Sequence, residues 1–143
     1  MTSPPTIGAI VVGYDASPAA SRAFALALVL ARSTHARLFL LNVREAEPDR
    51  AEPTTEEEST SVETAIAASV AAWAARAAEE GVAFTAVTRE RPTSVAIVNL
   101  AEEVGAGLIV VGTRGLRPVA KAVLGSVSSD VVARAHVPVL VVP

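Results

Sequence analysis

Residues 107–129 read G-L-I-V-V-G-T-R-G-L-R-P-V-A-K-A-V-L-G-S-V-S-S. The apolar run 108–111 has the character of a strand buried on both faces of a parallel sheet. Gly112 and Gly115 interrupt it three residues apart. Further on, Gly125-Ser126 heads a helical pattern in which Val127, Val131, Val132 and Ala135 fall on one face. A strand therefore runs into a glycine-punctuated loop, and the loop runs into a helix start. Glycine lets backbone approach a ligand closely, and the first turn of a helix presents unpaired N–H groups with a partial positive charge. Such a stretch reads as a phosphate cradle.

Working outward, the chain keeps alternating strand and helix. Residues 1–6, with Pro4-Pro5, form a loose leader. Residues 7–13 (I-G-A-I-V-V-G) suit a central parallel strand, and Tyr14-Asp15-Ala16-Ser17-Pro18 follows. Ser17 is a good N-cap and Pro18 suits the first helical position. The helix places Ala20, Phe24, Ala27, Leu28 and Ala31 inward and ends near His35, which takes the left-handed capping position where glycine is more usual. Residues 37–43 form a second strand. Residues 44–59 are acidic, carry proline and lack an apolar period, so a solvated excursion is expected there. Thr60-x-x-Glu63 reads as a capping box, opening a helix with Val62, Ile66, Val70, Trp73 and Ala77 on one face and Gly81 as its stop. A third strand at 82–88, a helix from Pro92 with Ile97, Leu100, Ala101 and Val104 inward, and a fifth strand at 137–142, from Val137 to Val142, complete the order. Alternation with short connections predicts an α/β domain, a doubly wound five-stranded parallel sheet covered on both faces.

Composition narrows the function classes. A chain of 143 residues is one domain, 1–143. Hydrophobic residues make up 51% and aromatics 3%, so the core is built from Val, Ala and Leu. With no cysteine there is no disulfide scaffold, thiol nucleophile or thiolate metal site. A net charge of -3 without a Lys/Arg cluster argues against nucleic acid as partner. The longest wholly apolar run, 23–31, is about half a membrane span. The start of the chain lacks the charge of a signal peptide. A cytoplasmic protein is expected.

The glycine spacing separates this cradle from two common ones. A P-loop needs Lys-Ser/Thr after its second glycine, where Leu116-Arg117 stand, and the dinucleotide fingerprint packs three glycines into six residues. Gly112-x2-Gly115-x9-Gly125-Ser126 instead resembles the glycine motif of the universal stress protein family, in its ATP-binding branch, where the pattern holds ribose and phosphates. The resemblance covers nearly the whole chain. With right-handed crossovers it implies a Rossmann-like sheet of strand order 3-2-1-4-5. The switch point then lies at the carboxyl ends of strands 1 and 4, where Asp15 and Gly112 sit.

The resemblance implies a binding set of Tyr14, Asp15, Ala16, Ser17, Val43, Gly112, Thr113, Arg114, Gly115, Gly125, Ser126, Val127 and Ser128. Asp15 is either a helix-start acid or a partner of ribose hydroxyls. Tyr14 and Val43 end strands 1 and 2, where the family packs adenine, but both also suit the core. Ser126 reads as an N-cap, which is compatible with donating to a terminal phosphate; Ser128 shares that turn. Arg114 and Arg117 flank the second glycine and either pair with phosphate oxygens or stand in solvent. Lys121, the single lysine, reads as a surface cation, and His35 and His136 as structural. Asp130 reads as a first-turn acid. Three positions depart from the family pattern: Ala16 stands for glycine in D-G-S, Arg91 stands before Pro92 in place of a glycine-x-proline start, and Gly107 replaces an Asp.

The expected function is ATP (or ADP/AMP) binding, with Mg²⁺ accompanying a triphosphate, for sensing or regulation in stress response. At most slow hydrolysis is expected, because only Asp15 and the poorly placed Asp130 are available as metal-holding acids. The alternative is a nucleotide-free dimeric protein-interaction module of the same fold. Adenylyl transfer is disfavoured by the absence of H-x-G-H and S-G-G-x-D-S. Under either reading 137–142, an apolar edge carrying Pro138, invites homodimerisation, which the family also implies.

Overall fold

The computed structural model describes residues 6–44, 56–113 and 124–143, with side chains from residue 62 onward in the second helix. The elements run β1 (Ala9–Gly13), α1 (Pro18–Thr34), β2 (Arg37–Arg44), α2 (Glu56–Glu79), β3 (Phe84–Glu90), α3 (Thr93–Val104), β4 (Leu108–Gly112), α4 (Ser126–Arg134) and β5 (Val139–Val142). All pairings are parallel, in the order β3-β2-β1-β4-β5, as expected.

Alternation along the strands sends successive side chains to opposite faces. On one face Ile10, Val12, Leu38, Leu40, Leu108 and Val110 meet α1 and α2. On the other, Ala9, Val11, Phe39, Leu41, Ile109 and Val111 meet α3 and α4. Four of the five aromatic residues gather on the first face around Phe24. Its ring lies 4.7 Å from that of Trp73, 5.8 Å from Phe84 and 6.2 Å from Tyr14. Phe39 lies on the other face, under the Arg37 guanidinium.

Both caps of α1 form as the sequence predicts. Ser17 Oγ accepts from Ala20 N at 3.2 Å, and Pro18 opens the helix. His35 closes it at φ 58°, its N–H bonded to Ala31 O. An L-residue in that region costs about 1–2 kcal/mol that glycine avoids, partly offset by the entropy of glycine in the unfolded chain. His35→Gly is expected to raise stability by about 1 kcal/mol. A thermal melt checks it, and an unchanged or lower midpoint overturns it.

Several boundaries differ from the sequence reading; β1, for one, begins at Ala9 rather than at residue 7. Helix α2 begins at Glu56, so residues 56–59 are helical rather than part of the expected excursion, whose residues 45–55 lie outside the described ones. Thr60 lies inside the helix rather than capping it. Three consecutive glutamates at 56–58 are good helix formers, and that propensity outweighs the capping-box signal. Strand β3 starts at Phe84, two residues later than expected, and β5 at Val139, with Val137 and Pro138 in the preceding connection. Among the described residues no helix is long and apolar enough to cross a membrane.

Candidate functional site

The carboxyl ends of β1 and β4 lie side by side at the centre of the sheet, and the chain leaves them in opposite directions. Each strand ends in a glycine that admits one helix. A Cβ on Gly13 would lie 2.7 Å from Ile97 Cδ1 of α3, and a Cβ on Gly112 would lie 2.8 Å from Ala19 Cβ and 3.0 Å from its carbonyl carbon in α1. Gly112 thus serves close packing of α1, a role that its place in the glycine motif does not reveal.

Beyond β1 the backbone makes a tight turn. Asp15 Oδ1 accepts from Ser17 N at 2.9 Å, and Ala16 takes φ 64°, the left-handed region. Glycine at this position would adopt it freely, whereas alanine holds it under strain, with its methyl packed against the core. Ser17 is buried and occupied as the cap of α1.

Beyond β4, Thr113 N donates to Val142 O at 2.8 Å. The Thr113 carbonyl accepts from Gly125 N at 2.6 Å and from Ser128 Oγ at 3.1 Å. The two ends of the glycine loop are therefore clasped together, and this clasp sets the N-terminus of α4 beside the switch point. Gly125 is the N-cap and makes no side-chain cap bond; Ser126 is the first helical residue, exposed, and does not cap the helix as the sequence suggested. The first-turn N–H groups of Ser126, Val127 and Ser128 have no partner within the helix.

The inward face of α4 is also different from the apolar reading. Ser128 and Val131 are buried and Ala135 half-buried, while Val127 and Val132 are 39% and 47% exposed. A serine can occupy the inner position because its hydroxyl is satisfied by the carbonyls of Thr113 and Gly125. Ser128 is thereby engaged in the clasp.

Tyr14 turns its ring into the core and presents backbone to the rim; Asn42 Nδ2 reaches its carbonyl at 3.1 Å. Val43 is half-buried against the α3/α4 side of the core. Arg114, Gly115, Arg117 and Lys121 lie outside the described residues. The sequence reading missed Asn42, and also Ser69 and Trp73, which meet the Tyr14 hydroxyl; the i,i+4 spacing of Ser69 and Trp73 on α2 was the available signal.

Asp130 is not in the first turn of α4 but faces α3, where it accepts from Ser94 Oγ and, at 2.9 Å, from Arg134 Nε. The Ser94 hydroxyl first, then Arg134, hold its carboxyl below the ordinary range. The bidentate Arg89 contact does the same for Glu103. Depressed carboxylate pKa values stabilise the fold above the unfolded pKa of about 4 and lose that contribution as pH falls through the folded value. Stability from these two groups should be intact near neutral pH and drain below about pH 4. Ser94→Ala should shrink the acid-limb loss in thermal melts between neutral and acid pH; an identical limb would discount the Ser94 bond. Among the described residues no group of three His, Asp or Glu side chains is placed to hold a metal.

A sequence model described as "Universal stress protein family" matches residues 6–143. The Thermus aquaticus protein named "Universal stress protein in QAH/OAS sulfhydrylase 3'region" is 39% identical over 140 residues, 93% of this chain and 96% of that protein. A universal stress protein crystallised in complex with cAMP superposes with a TM-score of 0.72 at 28% identity, covering 96% of this chain and 98% of the other. The universal stress protein from Archaeoglobus fulgidus in complex with dAMP gives 0.66 at 25%, covering 94% and 97%.

Proposed function

Because the chain belongs to the universal stress protein family, we propose that it binds an adenine nucleotide at the carboxyl ends of β1 and β4. The observation that carries this reading is the clasp of Thr113 to Gly125, which aims the unpaired N–H groups of α4 at the switch point. A helix N-terminus there suits phosphate, and the backbone around Tyr14 and Asp15 on the other lip suits the nucleoside. The cAMP and dAMP complexes of its structural neighbours support the class of ligand. We take ATP as the working ligand, with ADP and AMP as alternatives. Mg²⁺ would arrive with a triphosphate, held chiefly by phosphate oxygens, with the Asp15 carboxylate at the rim.

Binding and sensing in stress response is favoured over efficient hydrolysis. One oxygen of Asp15 is committed to the Ser17 amide, and Asp130 is turned toward Ser94 and Arg134. The proposed working form is a cytoplasmic homodimer paired through β5. That strand is at the sheet edge, with Val139 through Val142 all half-buried, which supports pairing under either the nucleotide-bound or the nucleotide-free reading.

A thermal melt with millimolar Mg-ATP tests the reading. Ligand at about a hundred times its dissociation constant adds about 2.7 kcal/mol, a rise of several degrees in a domain of this size. The rise should be reduced in Ser126→Ala and in Gly115→Ala. No rise with ATP, ADP or AMP, in protein verified free of co-purified nucleotide, would leave the nucleotide-free interaction module as the better account.

A further inference from the structure

The lip of the cleft formed by β1 is held from behind. Every polar group of Tyr14 is taken by another element: its N–H donates to Leu41 O at 2.9 Å, its carbonyl accepts from Asn42 Nδ2 at 3.1 Å, and its hydroxyl accepts from Trp73 Nε1 at 3.2 Å while sharing a hydrogen bond with Ser69 Oγ. Tyr14 is 4% exposed, its ring edge-on to Phe24, which in turn packs on Trp73. The next two residues make the strained turn, with Asp15 closing on Ser17 N and Ala16 at φ 64°. A left-handed alanine persists only where its surroundings over-determine it. The Asp15–Ser17 bond, the Ser17 cap and the core under the Ala16 methyl hold one side of this turn, and the fully bonded Tyr14 precedes it on the other.

Two of these anchors, Ser69 and Trp73, come from one face of α2. That helix is otherwise lightly held: Ile66, Val70 and Ala74 are half-buried, and Ala77 alone of its described side chains is fully buried. We propose that Ser69 and Trp73 are positioning residues for the 14–17 turn, acting through the Tyr14 hydroxyl, so that a nucleotide seated against the turn is transmitted to α2. The proposal deepens the nucleotide reading above and rests on it for the identity of the ligand. Buried hydrogen-bond networks restrain backbone because leaving one member unpaired is costly. A ligand that shifts the turn must therefore shift Tyr14, and with it the α2 side chains bonded to its hydroxyl.

Trp73 is the only tryptophan, so its emission reports this network. The experiment compares the full-length protein with Tyr14→Phe, Ser69→Ala and Ser69→Thr. Readouts are calorimetric AMP affinity, tryptophan emission on AMP addition, and amide exchange of residues 14–17 against residues 109–111 of β4. AMP should change the emission of the unaltered protein. In Tyr14→Phe and Ser69→Ala the change should be largely lost, AMP affinity should fall about tenfold, and exchange should quicken at 14–17 while β4 stays protected. Ser69→Thr, which restores a hydroxyl, should recover all three, which a merely structural loss would not. The proposal is overturned if AMP binds without altering emission, or if Tyr14→Phe and Ser69→Ala behave as the unaltered protein. If the unaltered protein binds ATP or ADP but not AMP, the same readouts are taken with that nucleotide. If it binds none of AMP, ADP and ATP, the nucleotide reading fails by itself and exchange decides the rest. Quickened exchange confined to 14–17 then supports the positioning role, and unchanged exchange sinks it.

Discussion

Gly112→Ala is expected to lower the unfolding free energy by about 3 kcal/mol. A methyl group at this position would stand 3.0 Å from the Ala19 carbonyl carbon and 3.1 Å from Ala20 N, both in the backbone of α1. These atoms cannot rotate aside as a side chain can. Relief requires lifting the first turn of α1, which the Ser17 cap and the buried Ala20, Ala23 and Phe24 resist. Gly13 provides the contrast. Its added Cβ would meet the far end of the Ile97 side chain, and a rotamer change there holds the expected cost of Gly13→Ala to about 1 kcal/mol. Gly8→Ala, with nothing within 4 Å, is the control and should stay within about 0.5 kcal/mol. Denaturant titrations of the three variants, extrapolated linearly, decide the matter. Equal losses at Gly112 and Gly13 would mean that α1 moves freely over the end of β4.

Phe24→Ala is expected to cost still more, about 4 kcal/mol. Phe24 is completely buried and its ring is the hub on which Tyr14, Trp73 and Phe84 converge from the turn after β1, from α2 and from β3. Truncation removes the transfer energy of the ring, the aromatic contacts at about 0.5–1.5 kcal/mol each, and leaves a cavity between α1 and α2. Set against a typical total of about 5–15 kcal/mol, the loss takes a large fraction of the stability. The melting point should drop by roughly 10 °C or more. Phe24→Leu, which keeps much of the volume, should cost about 1–2 kcal/mol. Scanning calorimetry checks both. A loss below about 2 kcal/mol for Phe24→Ala would show that α2 settles into the gap.

The two variants test features of different visibility. Phe24 was legible, because it lies on the apolar stripe of a well-capped helix, and burial follows from that stripe. What it would touch was not legible, since Tyr14, Trp73 and Phe84 come from three segments 10 to 60 residues away in the chain. Gly112 was visible as a motif glycine, but nothing local to it pointed to the Ala19 backbone above it. The site shows the same division. Asp15, Thr113 and Gly125 could be named from the pattern, whereas the i,i+4 spacing of Ser69 and Trp73 placed them on one face of α2 without saying that Tyr14 would meet it, and Asn42 carried no such signal.

Helix α4 shows why an apolar pattern misleads in a short helix. Val127, Val131, Val132 and Ala135 suggested the inner face, but only Val131 is fully buried. Ser128 is drawn inward because the Thr113 and Gly125 carbonyls accept its hydroxyl, and Asp130 is fixed toward α3 by Ser94. Polar partners outside the helix set its rotation, and none of them is encoded within it.

By itself the sequence determined the alternation of strand and helix, both caps of α1, the residues of the central strands and the switch point at the carboxyl ends of β1 and β4. These follow from period, capping chemistry and glycine placement, all short-range properties of the chain. The tertiary structure decided which face α4 turns inward, that Gly112 serves α1, and that Tyr14 answers to α2. Those outcomes depend on close contact between groups far apart in sequence, where a few tenths of an ångström separate a fit from a clash.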